Sequence, residues 1–410
     1  MLKGQFPVEK FASLRTPFYY YDLPLLRRTL DKIRECIEPY PQFHVHYAVK
    51  ANFNGRILQE ISRCGFGADC VSGGEIRAAL QNGFAPESIV YAGVGKSDEE
   101  ILLALDAGIA RFNVESAAEL EVINELALSR GVVAPVSLRV NPDIGAHTHA
   151  NITTGLAENK FGINYEQLPG VIELADSLPG VEYKGLHFHI GSQILEMDDF
   201  VALCNRINVL AEQILRQRRG RLVPAASSAA AVGYSSSAVG SAASVLGDIN
   251  VGGGLGINYY HPNHLDVAEF SQYFETFARH LKLPEGTPVH FELGRSVVAP
   301  CGSLISRVLY IKEGTTRRFA IIDASMTELI RPALYKAYHR VENISSYEPE
   351  EVYDVVGPVC ESSDVFAKGV SIDKCHRGDF IAIRSAGAYG ESMSSQYNCR
   401  PLPACFFKED

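Results

Sequence analysis

Between residues 43 and 295, short β-branched or aromatic runs alternate with longer amphipathic segments, the pattern of repeated strand–helix units around a parallel sheet. Eight such runs stand in order: FHVHYAVK (43–50), FGADCVS (66–72), SIVYAGV (88–94), ARFNVES (110–116), VSLRVNP (136–142), YKGLHFHIG (183–191), GDINVGG (247–253) and VHFELGR (289–295). Intervening stretches such as GEIRAALQNG, DEEILLALDAG and AAELEVINELALSRG repeat apolar residues at helical spacing and end on Gly, a common helix stop. Eight strands, each followed by a helix, predict an α/β chain built on a (β/α)8 (TIM) barrel, whose chemistry sits at the C-terminal strand ends.

Past residue 295 the pattern changes to strand-like runs with turn residues between them, as in SLISRVLYIKE (303–313), RRFAIIDAS (317–325), EVYDVVG (351–357) and DFIAIRSAG (379–387). These predict a second, C-terminal domain resembling a β-sandwich or β-barrel. The expected division is a barrel over 22–295 and a β domain over 296–410. Residues 1–21, with no helix of their own, would join the β domain through a strand at Tyr19–Tyr21. Residues 223–247 are almost entirely Ala, Ser, Gly and Val; too little large apolar surface is present to order them, so a mobile insert on the barrel's N-terminal face is expected.

Polar residues mark one end of nearly every barrel run: Lys50, Asp69 with Ser72, Glu115, Asn141, His189, the triplet Gly252-Gly253-Gly254, and Glu292 with Arg295. A lysine closing an apolar strand is expected to have its amine pKa lowered by burial, which makes a Schiff base accessible near neutral pH. A glycine triplet after a strand lets backbone N–H groups approach an anion. The carboxylate of Glu292 after the apolar VHFEL lead-in suits the nitrogen of a pyridine ring, and the flat ring of His189 could stack on one. The set suits pyridoxal 5'-phosphate as cofactor. Singly, each feature is weak: a strand-end lysine is usually solvated, GGG can be a tight turn, and a buried histidine is usually a satisfied core residue.

Composition narrows the class. The chain has 410 residues, 46% hydrophobic and 21% charged, and no apolar run approaches the roughly 20 residues that span a bilayer. Its N-terminus carries neither a secretory nor an organelle-targeting pattern, so a cytoplasmic protein is expected. The nine cysteines are scattered without a C-x-x-C pair, and no metal site is expected. A formal net charge of −10 argues against a nucleic-acid partner, and the basic stretch 216–221 reads as a solvated helix end.

Ten collinear motifs then carry a resemblance: YAVKAN (47–52), GADCVSGGE (67–75), NPD (141–143), ENKFGI (158–163), HIGSQI (189–194), GGGLGI (252–257), ELGRS (292–296), IRPALY (330–335), GPVCESSD (357–364), and AGAYG (386–390) with SMSSQYN (392–398). Over nearly the whole chain, the insert excepted, the sequence resembles the fold-type III pyridoxal-phosphate decarboxylases, and among them the diaminopimelate decarboxylases. The resemblance implies decarboxylation of meso-diaminopimelate to L-lysine and CO2, the last step of lysine biosynthesis. It implies Lys50 as the cofactor lysine, His189 stacked on the ring and Glu292 at the ring nitrogen. Asp69, Ser192, Gly252, Gly253, Gly254, Arg295 and Tyr389 would also contact the cofactor. Arg295, Arg331, Tyr335 and Tyr389 would bind substrate, the arginines at its retained distal carboxylate. Cys360 and Glu361 would reach into a neighbouring subunit's site, Cys360 near the reacting carbon and Glu361 near the distal ammonium, which implies a homodimer with shared sites. The alternatives are a decarboxylase of the same fold acting on ornithine, arginine or carboxynorspermidine, and a non-catalytic cofactor-binding paralogue. The reading CESSD where cation-specific relatives have CDGLD, together with the IRPALY arginine, favours a substrate with a distal carboxylate.

Overall fold

The computed structural model describes residues 6–142, 160–222, 245–262 and 267–409. Most of the expected insert, and the parts of the NPD and ENKFGI motifs between 143 and 159, lie outside the described residues. The chain opens with a single helical turn at Val8–Phe11, which the sequence reading lacked, and a strand β1 (Phe18–Asp22) leading into helix α1 (Leu23–Ile37), whose first turn is capped by the Asp22 carboxylate.

Eight parallel strands follow: β2 (Phe43–Ala48), β3 (Gly67–Cys70), β4 (Ile89–Tyr91), β5 (Arg111–Val114), β6 (Ala134–Asn141), β7 (Val181–His187), β8 (Asp248–Asn250) and β9 (Val289–Leu293). Each pairs with its successor, and β9 returns to β2 with Leu293 beside Tyr47, closing the barrel. All eight coincide with the predicted runs. Between them run α2 (Gly55–Arg63), α3 (Gly73–Gln81), α4 (Asp98–Ala107), α5 (Ala117–Arg130), α6 (Leu168–Ser177), α7 (Met197–Leu222) and α8 (Val267–His280). Three of these helices start at a Ser whose hydroxyl accepts from the N–H of a Glu three residues on: Ser72 to Glu75, Ser97 to Glu100 and Ser116 to Glu119. Ser72 is therefore a helix cap.

The expectation of a helix after every strand fails at β9, which is followed only by the turn α9 (Arg295–Val298) before the chain leaves the barrel. Helix α1, from ahead of the first strand, packs between α2 and α8 instead. Its buried Leu23, Leu25, Leu26, Leu30 and Ile33 fill the apolar groove that an eighth helix would cover.

The second domain holds β10 (Gly302–Glu313), β11 (Arg318–Ile322), the short helix α10 (Arg331–Tyr335), β12 (Val341–Asn343), β13 (Glu350–Val356), β14 (Val365–Asp373), β15 (Phe380–Ile383) and β16 (Ala404–Lys408). Its sheet runs β12-β15-β10-β11-β13-β14, and β1 lies between β10 and β16. Both chain ends thus meet in one sheet, with Tyr19 beside Leu304 and Cys405. The architecture is a (β/α)8 barrel with a separate mixed-sheet β domain. Among the described residues no helix is long and apolar enough to cross a membrane.

Candidate active site

A cavity of about 910 Å³ opens where the C-terminal strand ends of the barrel meet the β domain. Ten residues singled out in the sequence line it: Lys50, Asp69, His189, Ser192, Gly254, Glu292, Arg295, Arg331, Tyr335 and Tyr389. Barrel closure brings the first seven together; α10 and the loop after β15 bring the last three.

Lys50 sits on the single turn after β2, and its Nζ donates to Asp69 Oδ2 at 3.1 Å. The expectation of a lowered amine pKa is overturned. Burial does disfavour the ammonium, but the charges of Asp69, Tyr389 and Glu292 outweigh it and hold the amine above the usual lysine range. Burial, reinforced by Glu292, lifts the Asp69 carboxyl above the usual carboxylate range, and Lys50 opposes the rise.

Glu292, at the end of β9, is buried and held from three sides. Asn250 Nδ2 donates to Oε1 at 2.8 Å, Asn113 Nδ2 to the same oxygen at 3.4 Å, and His187 Nε2 meets Oε2 at 3.1 Å. Burial alone would raise its pKa; the field and hydrogen bond of His187, with the charge of Lys50, push it below the carboxylate range. It stays ionised in the barrel mouth. Sequence reasoning missed its three holders, although His187 closes β7 only two residues before His189.

His189 is kept neutral, its pKa depressed to about 3 by burial and by the charges of Arg139 and Lys50. Its Nδ1 accepts from Gly253 N at 3.3 Å, and Gly252 N donates to Asn250 Oδ1 at 2.8 Å. Those two N–H groups are therefore committed within the protein, and of the triplet only Gly254 lines the cavity. The need for glycine is steric: a Cβ on Gly253 would stand 1.8 Å from the Glu292 carbonyl oxygen.

Two arginines face the cavity from opposite domains, each about nineteen-twentieths buried. Arg295 donates from Nη1 to Tyr259 Oη at 2.8 Å and from Nη2 to Ser192 Oγ at 2.9 Å. Arg331 donates from Nη2 to the same Tyr259 oxygen at 3.2 Å and from Nε to His339 Nε2 at 3.2 Å. The ring of Tyr389 lies under both guanidinium groups, at 4.9 and 5.9 Å. Among the described residues neither guanidinium is hydrogen-bonded to a carboxylate; its partners are hydroxyls and an imidazole, an arrangement that leaves both charges to attract an anion. Tyr259 and His339 were not foreseen; no periodicity or motif spacing links position 259 to position 331.

Cys360 and Glu361 do not line this cavity. Both are exposed on the β domain, where Cys360 N donates to Asn398 Oδ1 at 3.4 Å and Tyr397 Oη to Glu361 Oε1 at 2.8 Å. Among the described residues no cluster of metal-ligating side chains occurs.

The lining fits a flat, anionic aldehyde cofactor: an amine at a strand end, an ionised carboxylate braced by uncharged amides and an imidazole, a neutral ring and two arginines. Two buried atoms, Asp69 Oδ1 and Arg295 Nε, have no hydrogen-bond partner among the described residues, an unmet capacity that a polar ligand would use.

Comparison with known proteins gives the same picture. Residues 26–218 match the family described as pyridoxal-dependent decarboxylase, pyridoxal binding domain. A diaminopimelate decarboxylase of Bacteroides thetaiotaomicron is 56% identical over 409 residues, covering 100% of both chains. One from Zymomonas mobilis is 39% identical, over 96% of this chain and 87% of its own. The crystal structure of diaminopimelate decarboxylase from Helicobacter pylori complexed with L-lysine superposes with a TM-score of 0.84 at 36% identity, covering 98% of this chain and 94% of that one.

Proposed function

Because the chain belongs to the diaminopimelate decarboxylase family of pyridoxal-dependent decarboxylases, we infer that its cavity is the site at which meso-diaminopimelate loses CO2 to give L-lysine. The observation that carries the substrate reading is the pair of buried arginines that, among the described residues, hydrogen-bond to hydroxyls and an imidazole and to no carboxylate, a receptor for a carboxylate that survives the reaction.

Bound pyridoxal phosphate supplies the electron sink for the pair that departing CO2 leaves on carbon. Lys50 would hold the cofactor through Nζ and yield to the substrate amine. Glu292, kept ionised by His187, Asn250 and Asn113, would keep a proton on the ring nitrogen, and neutral His189 would cover one ring face. Ser192, Gly254 and Tyr389, with Arg295 close by, would secure the phosphate end; Arg331, Tyr335 and Arg295 would clamp the distal carboxylate. Gly252 and Gly253 would act by shaping the turn, since their N–H groups already have partners.

The proposal extends to a homodimer in which Cys360 and Glu361 of a second copy complete each site. Their exposure and their absence from this chain's cavity support that reading. It also extends to a cytoplasmic location, supported by nine cysteines that are all free. The test is CO2 release by purified protein with pyridoxal phosphate, offered diaminopimelate, ornithine or arginine. Turnover of diaminopimelate alone is expected; turnover of ornithine or arginine in its place would overturn the carboxylate reading.

A further inference from the structure

Arg331 Nε donates to a residue that lies outside the cavity lining, His339. We propose that His339 is a positioning residue for substrate specificity, fixing the Arg331 guanidinium at the orientation that receives the retained carboxylate. The inference rests on the reading of Arg331 as part of the carboxylate clamp.

The geometry determines the form of the imidazole. His339 Nδ1 stands 2.9 Å from the carbonyl oxygen of Arg384, which can only accept, so Nδ1 carries the proton. Nε2 then presents a lone pair, and Arg331 Nε donates to it at 3.2 Å. The ring is 1% exposed and stands edge-on to Tyr259 at 5.0 Å, with 75° between the planes. It cannot turn without losing both hydrogen bonds. Burial and the adjacent Arg331 charge hold its pKa near 3, so the lone pair stays available across the neutral range.

Apart from the tyrosine rings beside it, Arg331 has one further side-chain hydrogen bond among the described residues to fix its direction. It opens the short helix α10, and its other hydrogen bond, to Tyr259 Oη, is shared with Arg295. Two like charges on one hydroxyl repel, and a neutral acceptor at Nε opposes that repulsion without cancelling the charge the substrate needs. A carboxylate at this position would pair with the guanidinium and compete with the substrate. A neutral histidine orients the cation and leaves its charge to the ligand.

Two isosteric variants separate this role from a structural one. In His339→Gln the amide oxygen can replace Nε2 as acceptor for Arg331; in His339→Asn the amide nitrogen can replace Nδ1 as donor to Arg384 while the acceptor is lost. Binding of L-lysine, which keeps the retained carboxylate, and of 1,5-diaminopentane, which lacks it, is measured by titration of the holoenzyme, alongside KM and kcat for diaminopimelate. His339→Asn should weaken L-lysine and raise KM by roughly tenfold, the scale of one charge-assisted hydrogen bond, with 1,5-diaminopentane binding unchanged. His339→Gln should stay near the parent, and adding Arg331→Ala to His339→Asn should cost no more than Arg331→Ala alone. Equal losses in the Asn and Gln variants, or equal losses for both ligands, would overturn the role of His339. An Arg331→Ala protein that binds L-lysine normally would overturn the clamp reading itself.

Discussion

Replacing Glu292 by Gln removes one charge from the barrel mouth and almost no volume. Oε1 can go on accepting from Asn250 at 2.8 Å, while the new amide nitrogen takes the position that faces His187 Nε2 at 3.1 Å. Two donors would clash there unless His187 moves its proton to Nδ1. That nitrogen is buried without a partner among the described residues, so the switch leaves one unsatisfied donor and costs about 1–3 kcal/mol of stability. The chain should fold and should still take up pyridoxal phosphate on Lys50. The chemical loss comes on top of this: a hydrogen bond to a charged group is worth up to about 3 kcal/mol, so kcat should fall by roughly 10²-fold. The assay is CO2 release at saturating diaminopimelate, with visible absorbance confirming cofactor loading and a thermal melt confirming the fold. A loaded, folded variant with kcat within about threefold of the parent would refute the assignment of Glu292 to the ring nitrogen.

Lys50→Ala should yield protein without the visible band of lysine-bound cofactor and without turnover; a variant that keeps both the colour and the activity refutes the role of Lys50. Mixing Lys50→Ala with Cys360→Ala subunits, each inactive alone, should restore about a quarter of parental activity if sites are shared across a two-fold dimer, and no recovery after subunit exchange is shown would rule sharing out. His46, buried at the opposite end of the barrel, has its pKa depressed to about 3 by burial and by neighbouring His290, against about 6.5 unfolded. Its contribution to stability is therefore complete above about pH 6.5 and is lost as pH falls toward 3. Urea unfolding of the parent and of His46→Gln should differ by a constant amount above pH 7 and shift by about 2 kcal/mol in favour of the variant by pH 5; a pH-independent difference would show that His46 is not held neutral.

Much of this protein was legible in one dimension. Strand and helix periods depend on local alternation of apolar and polar residues, so the eight barrel strands could be counted directly and four of the seven strands after residue 301 could be read, and strand-end chemistry pointed to Lys50, His189 and Glu292. The barrel rule gathers such ends at one rim, which is why residues as distant as Lys50 and Glu292 could be assigned to one site. Three matters were settled only by closure in space. The eighth helix position is taken by α1, because β9 must deliver the chain to the β domain and the empty groove accepts whichever apolar helix can reach it. Lys50 holds its proton more tightly than burial by itself would allow, because β3 and β9 bring two carboxylates to bear on it. The framing of Glu292 by His187, Asn113 and Asn250, and of the arginines by Tyr259 and His339, joins residues that no periodicity relates; electrostatic fields and hydrogen bonds act over a few ångströms, and only the folded chain decides which side chains fall within that reach.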